Sequence, residues 1–341
     1  MKNLDWDKLS FGYLKTDYNV RSYYKDGKWS DLEITDSEMI PVHMASTCVH
    51  YGQEAFEGLK AFRGKDGKIR IFRCEENAKR MINTADYVMM KAPSVELFTE
   101  AVVKAVELNK EYVPPYESGA SLYIRPLLIG VGPQMGVKPA SEFMFVVFVA
   151  PVGPYFKDGF KPARVMIERK YDRAAPHGTG HIKVGGNYAA GMASGEIAHD
   201  KGYFTALFLD SAEKKYVDEC GPANFFGIKD NTYITPASHS VLPSITNVSI
   251  MELAGDMGLK VERRRIPVEE LKTFDECGAC GTAAVIVPIG EIDDIEEGHN
   301  EKLTFGQPGV PGEWCTKLYH RLRAIQYGDE PDKFGWVKVL D

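Results

Sequence analysis

Apolar residues recur at intervals of three and four in two successive segments, residues 75–90 ("EENAKRMINTADYVMM") and 94–112 ("SVELFTEAVVKAVELNKEY"), a period that predicts two amphipathic helices. Around them "KIRIFR", "SLYIRPLLIG" and "FMFVVFVA" are short, dense in apolar and β-branched residues, and predict buried strands. Strands and helices are mixed rather than strictly alternating, so the expected class is α/β with α+β character. Residues 150–163, "APVGPYFKDGFKPA", gather prolines and glycines between two strand patterns and mark a junction. The expectation is a small N-terminal α/β domain over 1–152, a linker over 153–165 and a larger C-terminal domain over 166–341. Within the last, "ARVMIERKY", "FTALFLD", "KYVDECGPANFFGIK", "KVERRRI" and "CGTAAVIVPIGEI" read as strands. Helices are expected over 188–199, within "VLPSITNVSIMELAGDMG" up to Gly258, over "VEELKTF", and over 312–327. Many short strands interrupted by helices predict a twisted, barrel-like sheet.

Composition narrows the function classes. A chain of 341 residues with 44% apolar and 26% charged residues is long enough for two folded domains and is no disordered segment. The net charge of −7 argues against nucleic acid or an anionic membrane surface as partner, because both demand a basic face. The N-terminal "MKNLDWDKLSFGY" has charges spread through it and no apolar core, unlike a secretory signal. The longest strongly apolar run, from Phe143, falls short of the ~20 residues of a membrane-spanning helix. Six scattered cysteines point to a reducing compartment, with the cytoplasm as the default, and Cys277 and Cys280 lack the second pair that a zinc site needs.

The candidate chemistry sits in "HGTGHIKVGGNYAAG", residues 177–191, where Lys183 lies among five glycines with Tyr188 five residues on. Glycine at this density is costly unless the backbone needs φ > 0 or something approaches it closely. The stretch lacks the G-x-x-x-x-G-K-[ST] pattern of a nucleotide loop, and "GVGPQMG" from Gly130 is no dinucleotide fingerprint. A lysine shielded from water can instead condense with an aldehyde, which arginine cannot. Pyridoxal phosphate is the commonest aldehyde cofactor, and its site requires a carboxylate for the ring nitrogen, a donor to O3′ and a cup of amides with a cation for the phosphate.

"GTGHIKVGGNY" resembles the lysine motif of the fold-type IV pyridoxal-phosphate enzymes, and specifically of the branched-chain amino acid aminotransferases. Six further blocks match in the same order: "HYGQEAFEGLKAFRG", "RIFRCEENAKRM", "LYIRPLLIGVGPQMGV", "DECGPANFF", "LPSITNVSI" and "CGTAAVIVP". The resemblance spans residues 51–288 and implies two domains with the cofactor in the cleft between them. It implies that Lys183 carries pyridoxal 5′-phosphate and moves a proton, that Glu219 pairs with the ring nitrogen and that Tyr188 bonds O3′. Arg80, the amides of Ile245 and Thr246, and the Thr282 hydroxyl are implied for the phosphate. Tyr51, Phe56, Tyr123, Arg125, Thr282 and Ala283 are implied for the substrate.

The implied reaction is amino transfer between leucine, isoleucine or valine and 2-oxoglutarate, by a homodimer or higher homo-oligomer. Other readings are a D-amino acid transaminase or aminodeoxychorismate lyase of the same fold, or a non-catalytic binding protein. The chain departs from the pattern at Pro222, where threonine is frequent, and at Ser244 and Asn247, where glycine and arginine are common. His181 has no role that the chemistry requires.

Overall fold

The computed structural model describes residues 1–156 and 159–340; Lys157 and Asp158 of the expected linker, and Asp341, lie outside the described residues. Two compact units emerge. The first holds Met1–Tyr155, Ile182–Gly185 and Ala324–Asp341, and the second holds Phe156–His181 and Gly186–Arg323. Membership therefore differs from a single C-terminal domain over 166–341. The chain's end belongs to the first unit because Val337–Leu340 pairs antiparallel with Ile69–Phe72. Residues 182–185 belong there because their backbone hydrogen-bonds to first-unit residues, as detailed below.

In the first unit one antiparallel sheet runs, in order, Val337–Leu340, Ile69–Phe72, Leu59–Arg63, Ser121–Gly130, Phe143–Val152, Asn19–Lys25 and Lys28–Trp29. The two expected helices are Cys74–Tyr87 and Val95–Leu108. The second buries Phe98, Ala101, Val102, Ala105 and Val106, a stripe at helical spacing, and Ser94 caps its start by accepting the Leu97 N–H. Both stripes join one core with Leu122, Ile124, Phe143, Phe145 and Val147 of the sheet. The first helix is less regular. Its buried face includes Asn77 and Thr84, polar residues whose partners lie in the candidate site.

The second unit contains the expected barrel. Val217–Cys220, Thr205–Leu209, Ala163–Glu168, Val285–Asp294, Glu276–Gly281 and Ala223–Lys229 are neighbours in that order, and Val217–Cys220 pairs again with Ala223–Lys229 to close the ring. Closure leaves no edge on these strands for unwanted pairing. Thr232–Pro236 and Lys260–Arg264 extend the sheet beyond Ala223–Lys229. Inside, Val165, Leu207, Phe225, Cys277 and Val287 pack with Phe274. The helices are Gly185–Asp200, Ile245–Asp256 and Glu313–Tyr327. The run expected as a helix at "VEELKTF" is a 3₁₀ segment, Val268–Thr273, too short to settle into α-geometry. Gly258, at φ +93°, ends Ile245–Asp256 as expected, with the Leu259 N–H reaching back to the Ala254 carbonyl. Among the described residues no helix is long and apolar enough to cross a membrane.

Close packing makes one glycine irreplaceable on space alone. Gly278 stands opposite Phe226 in the ladder, and a Cβ at Gly278 would meet the Phe226 ring at 2.4 Å. The ring cannot swing away, being fully buried and stacked on Tyr233 at 4.8 Å. Gly278→Ala is therefore expected to destabilise the protein by about 1–3 kcal/mol, the usual penalty of overpacking. Urea unfolding midpoints check this, and an unchanged midpoint contradicts it.

Candidate active site

The segment bearing Lys183 is seated in the first unit by its own backbone. The Lys183 N–H donates to Thr84 Oγ1 at 3.1 Å and its carbonyl accepts from the Phe56 N–H at 3.2 Å. Two residues on, the Gly185 N–H donates to the Glu54 carboxylate. That bond caps a new helix, so the helix begins at Gly185 rather than at the expected Tyr188. Thus fixed, Lys183 sets its Nζ 4.6 Å from the centroid of the Phe56 ring.

Phe56 carries a second cation. The Arg125 guanidinium lies 4.9 Å from the same ring and 5.3 Å from that of Tyr123, whose hydroxyl accepts from Arg125 Nη2 at 3.2 Å. Among the described residues Arg125 Nε is buried with no hydrogen-bond partner, so the guanidinium keeps anion-binding capacity. Gly58 makes room for Tyr123, since a Cβ there would meet its hydroxyl at 2.0 Å.

Arg80 lies one helical turn from Thr84 on the buried side of Cys74–Tyr87. Its Nε and Nη2 donate to the two oxygens of Glu57 at 2.8 and 2.7 Å, and Asn77 Nδ2 adds a third bond at 2.7 Å. Glu57 is wholly buried, so this fork holds Arg80 in a single orientation. Glu54, Glu57, Asn77 and Thr84 escaped the sequence reading. The signal for two of them was present: Asn77 and Thr84 interrupt the apolar stripe of that helix. Tyr51 is 44% exposed, and its hydroxyl donates to the Met135 carbonyl at 2.6 Å rather than to this cluster.

The second unit holds the remaining predicted residues. Glu219 is buried on Val217–Cys220; its Oε1 accepts from the Leu242 N–H at 2.5 Å and from Asn224 Nδ2 at 3.3 Å, while Arg173 Nε lies 3.4 Å from Oε2. Arg173, a further residue the sequence did not point to, also donates to the carbonyls of Gly180 and Ser240. Ser244 is the N-cap of Ile245–Asp256, its Oγ accepting the Asn247 N–H at 3.2 Å. The Ile245 and Thr246 amides, one and two residues past the cap, have no carbonyl of their own helix to bond and form an anion cup. Tyr188 is half-buried in the first turn of Gly185–Asp200.

Thr282 and Ala283 occupy the turn between Glu276–Gly281 and Val285–Asp294. That turn is strained: Val285 has φ +68°, and the Ile286 N–H bonds the Ala284 carbonyl at 3.0 Å across it. A β-branched residue in this region signals a backbone held for function. None of the five glycines of 177–191 has positive φ. Close approach accounts for the clearest of them, because a Cβ on Gly180 would meet the Ser240 carbonyl at 2.3 Å. Cys277 and Cys280 are buried free thiols, and burial pushes the Cys280 thiol well above its usual value, which makes it inert.

Known proteins resemble this chain closely. The family described as amino-transferase class IV matches residues 54–292. A branched-chain-amino-acid aminotransferase of Haemophilus influenzae is 46% identical over 100% of both chains. One from Helicobacter pylori is also 46% identical, over 99% of this chain and 98% of that protein. Among solved structures, the Escherichia coli branched-chain amino acid aminotransferase superposes with a TM-score of 0.78 at 27% identity, covering 95% of this chain and 99% of that one. The T.th. branched-chain amino acid aminotransferase complexed with N-(5′-phosphopyridoxyl)-L-glutamate gives 0.78 at 26% identity, over 96% and 99%.

Glu54 supplies a test of the seating. Burial raises its carboxyl above the ordinary 4.5, against the opposing pull of the Gly185 N–H, Arg125 and Lys183. With a folded value above the unfolded one, its contribution to stability is present at low pH and is lost as pH rises through the folded value. Glu54→Gln keeps an oxygen for the Gly185 N–H and has no charge to desolvate. Relative to this variant the wild type should lose stability as pH climbs from 4.5. Urea unfolding of both proteins across pH measures the difference, and a flat difference rules the account out.

Proposed function

The chain belongs to the class IV amino-transferase family, and from that premise we propose that it is a branched-chain L-amino acid transaminase using pyridoxal 5′-phosphate. It exchanges the amino group of leucine, isoleucine or valine with 2-oxoglutarate, giving the branched 2-oxo acid and L-glutamate. One observation carries this reading: Lys183 and Arg125 share the Phe56 wall, and Arg125 has a buried Nε without a partner among the described residues. An amine for chemistry, an aromatic wall for an apolar side chain and a guanidinium for a carboxylate suit both substrates of one site.

The residues present fit the cofactor. A buried carboxylate at Glu219, the first-turn amides of Ile245 and Thr246 and an oriented Arg80 match a ring nitrogen and a phosphate. When bound, pyridoxal phosphate supplies an aldehyde carbon to which amines add and a ring that takes up the electron pair released at the substrate Cα. Lys183 Nζ is the group that would hold the cofactor, and as a free amine it would serve as the base for the substrate Cα proton. Glu219, beside Arg173, would pair with the ring nitrogen. Tyr188 donates to O3′. Arg80, the Ile245 and Thr246 amides and the Thr282 hydroxyl hold the phosphate. Tyr51, Phe56 and Tyr123 line the substrate's apolar side, while Arg125 and the turn at Thr282 and Ala283 receive carboxylates. Borohydride reduction of the holoprotein should leave the cofactor on the peptide containing Lys183, and Lys183→Ala should lower kcat by about 10²–10⁴-fold. An adduct on another lysine, or full turnover in the variant, defeats the assignment.

The reading includes a homodimer or higher homo-oligomer in the cytoplasm. Six unpaired cysteines support a reducing compartment. Around Tyr51 the surface is unusually apolar for one facing water: Met44 is 83%, Met135 78% and Val137 85% exposed. A second copy covering this face would bury Tyr51 as well. Light scattering should therefore give at least twice the mass of one chain, and Met135→Glu with Val137→Glu should reduce it to one chain. A monomeric wild type refutes the oligomer.

A further inference from the structure

Behind Glu219 lies a buried chain of amides that the transamination chemistry does not call on. Asn224 Nδ2 donates to Glu219 Oε1 at 3.3 Å and to the Leu242 carbonyl at 3.1 Å, and Asn224 Oδ1 accepts from Asn247 Nδ2 at 3.1 Å. Asn247 Nδ2 also donates to Thr235 Oγ1 at 2.9 Å, and its Oδ1 accepts from the Tyr233 hydroxyl at 2.7 Å. Asn224, Tyr233, Thr235 and Asn247 are all buried.

The polarity of this chain follows from one charge. A carboxylate only accepts, so Asn224 must present its NH₂ to Glu219 and its oxygen to Asn247. Asn247 must then present its NH₂ to Asn224 and its oxygen to the tyrosine hydroxyl. Tyr233 donates to Asn247 and Asn247 to Asn224, whose NH₂ reaches Glu219, while side bonds run to Thr235 and to the Leu242 carbonyl, so the side-chain atoms of both asparagines are all engaged. Such a filled network is rigid, and its bonds strengthen one another away from water.

Position makes that rigidity consequential. Leu242 and Asn247 are the two ends of the six-residue segment that carries the Ile245 and Thr246 amides. Asn224 grips both ends, through the Leu242 carbonyl and through Asn247. Glu219 grips the first end too, through the Leu242 N–H.

We propose that Asn224 and Asn247 bridge the Glu219 carboxylate to the anion-binding turn of Ile245–Asp256, making Asn247 a positioning residue that couples the hold on a ligand's ring nitrogen to the hold on its phosphate. The proposal rests on the roles given above to Glu219 and to the two amides. It adds that the two grips are one mechanical unit, set by a residue that touches neither end of the cofactor.

The test titrates apoprotein with pyridoxal phosphate, following the cofactor's absorption band, for wild type, Asn247→Asp, Glu219→Gln and the double variant. Asn247→Asp keeps the shape but loses the NH₂ that faces Asn224. The expected result is about tenfold weaker binding, the scale of one such hydrogen bond, and a band displaced towards that of Glu219→Gln. The double variant should bind no more weakly than the weaker single one, because both changes break the same unit. Wild-type affinity and band in Asn247→Asp, or independent additive losses, overturn the bridge. Tyr233→Phe removes the far bond on Asn247 Oδ1, together with the hydroxyl's contact to Cys280, and keeps the ring, so it gives the same readout in smaller measure if Asn247→Asp does not fold. There, too, an unchanged affinity and band overturn the proposal. Failure of the wild type itself to bind pyridoxal phosphate overturns the cofactor reading instead, so the two failures are distinguishable.

Discussion

A polar side chain withdrawn from water must be met by a partner, and this constraint organises each of the two units. Glu57 is fully buried and is met by Arg80 and Asn77. Glu219 is buried and is met by Arg173, Asn224 and the Leu242 amide. Glu54 is met by the backbone of Gly185, at the start of a helix. Against these compensated groups Arg125 stands out, because its buried Nε has no protein partner among the described residues. Its guanidinium rests instead against the rings of Phe56 and Tyr123.

The same constraint explains how the lysine is presented. A lysine on a short segment is held in place by what its backbone bonds to. Phe56 provides the wall, and three backbone bonds, to Thr84, Phe56 and Glu54, provide the fixing. Glu54 lowers the freedom of the segment by bonding Gly185, two residues beyond the lysine. Strain is concentrated at Val285 instead, where the turn bearing Thr282 and Ala283 is bent through a conformation β-branched residues avoid.

Much of this was legible before any coordinates, and the division has a physical basis. The long strands Ser121–Gly130 and Phe143–Val152 and the helix Val95–Leu108 carry strong local periodicity, which survives tertiary context. Asn19–Lys25 and Thr232–Pro236 lack that signal, the first lying in an aromatic-rich opening and the second being only five residues long. At the site, residues facing the ligand sit in recognisable blocks, whereas those that hold them do not. Gly185 and Glu54 are 131 positions apart, and Glu219 and Arg173 meet only through folding. The glycines of 177–191 show the limit of inference from residue type: either positive φ or close approach would account for them, and only packing against Ser240 shows which applies to Gly180.

Two departures from the family pattern become intelligible together. Ser244 replaces the common glycine with a side chain that caps the helix, and the N–H it accepts belongs to Asn247, the other departure. Asn247 replaces an arginine with a neutral amide. A guanidinium here would add a buried cation to a network that ends on Glu219, whose counter-charge Arg173 already supplies. A neutral donor avoids that desolvation while both of its N–H groups remain bonded, to Asn224 and to Thr235. Serine fixes the backbone of residue 247 and asparagine uses that fixed backbone to aim its side chain, so each change makes the other tolerable.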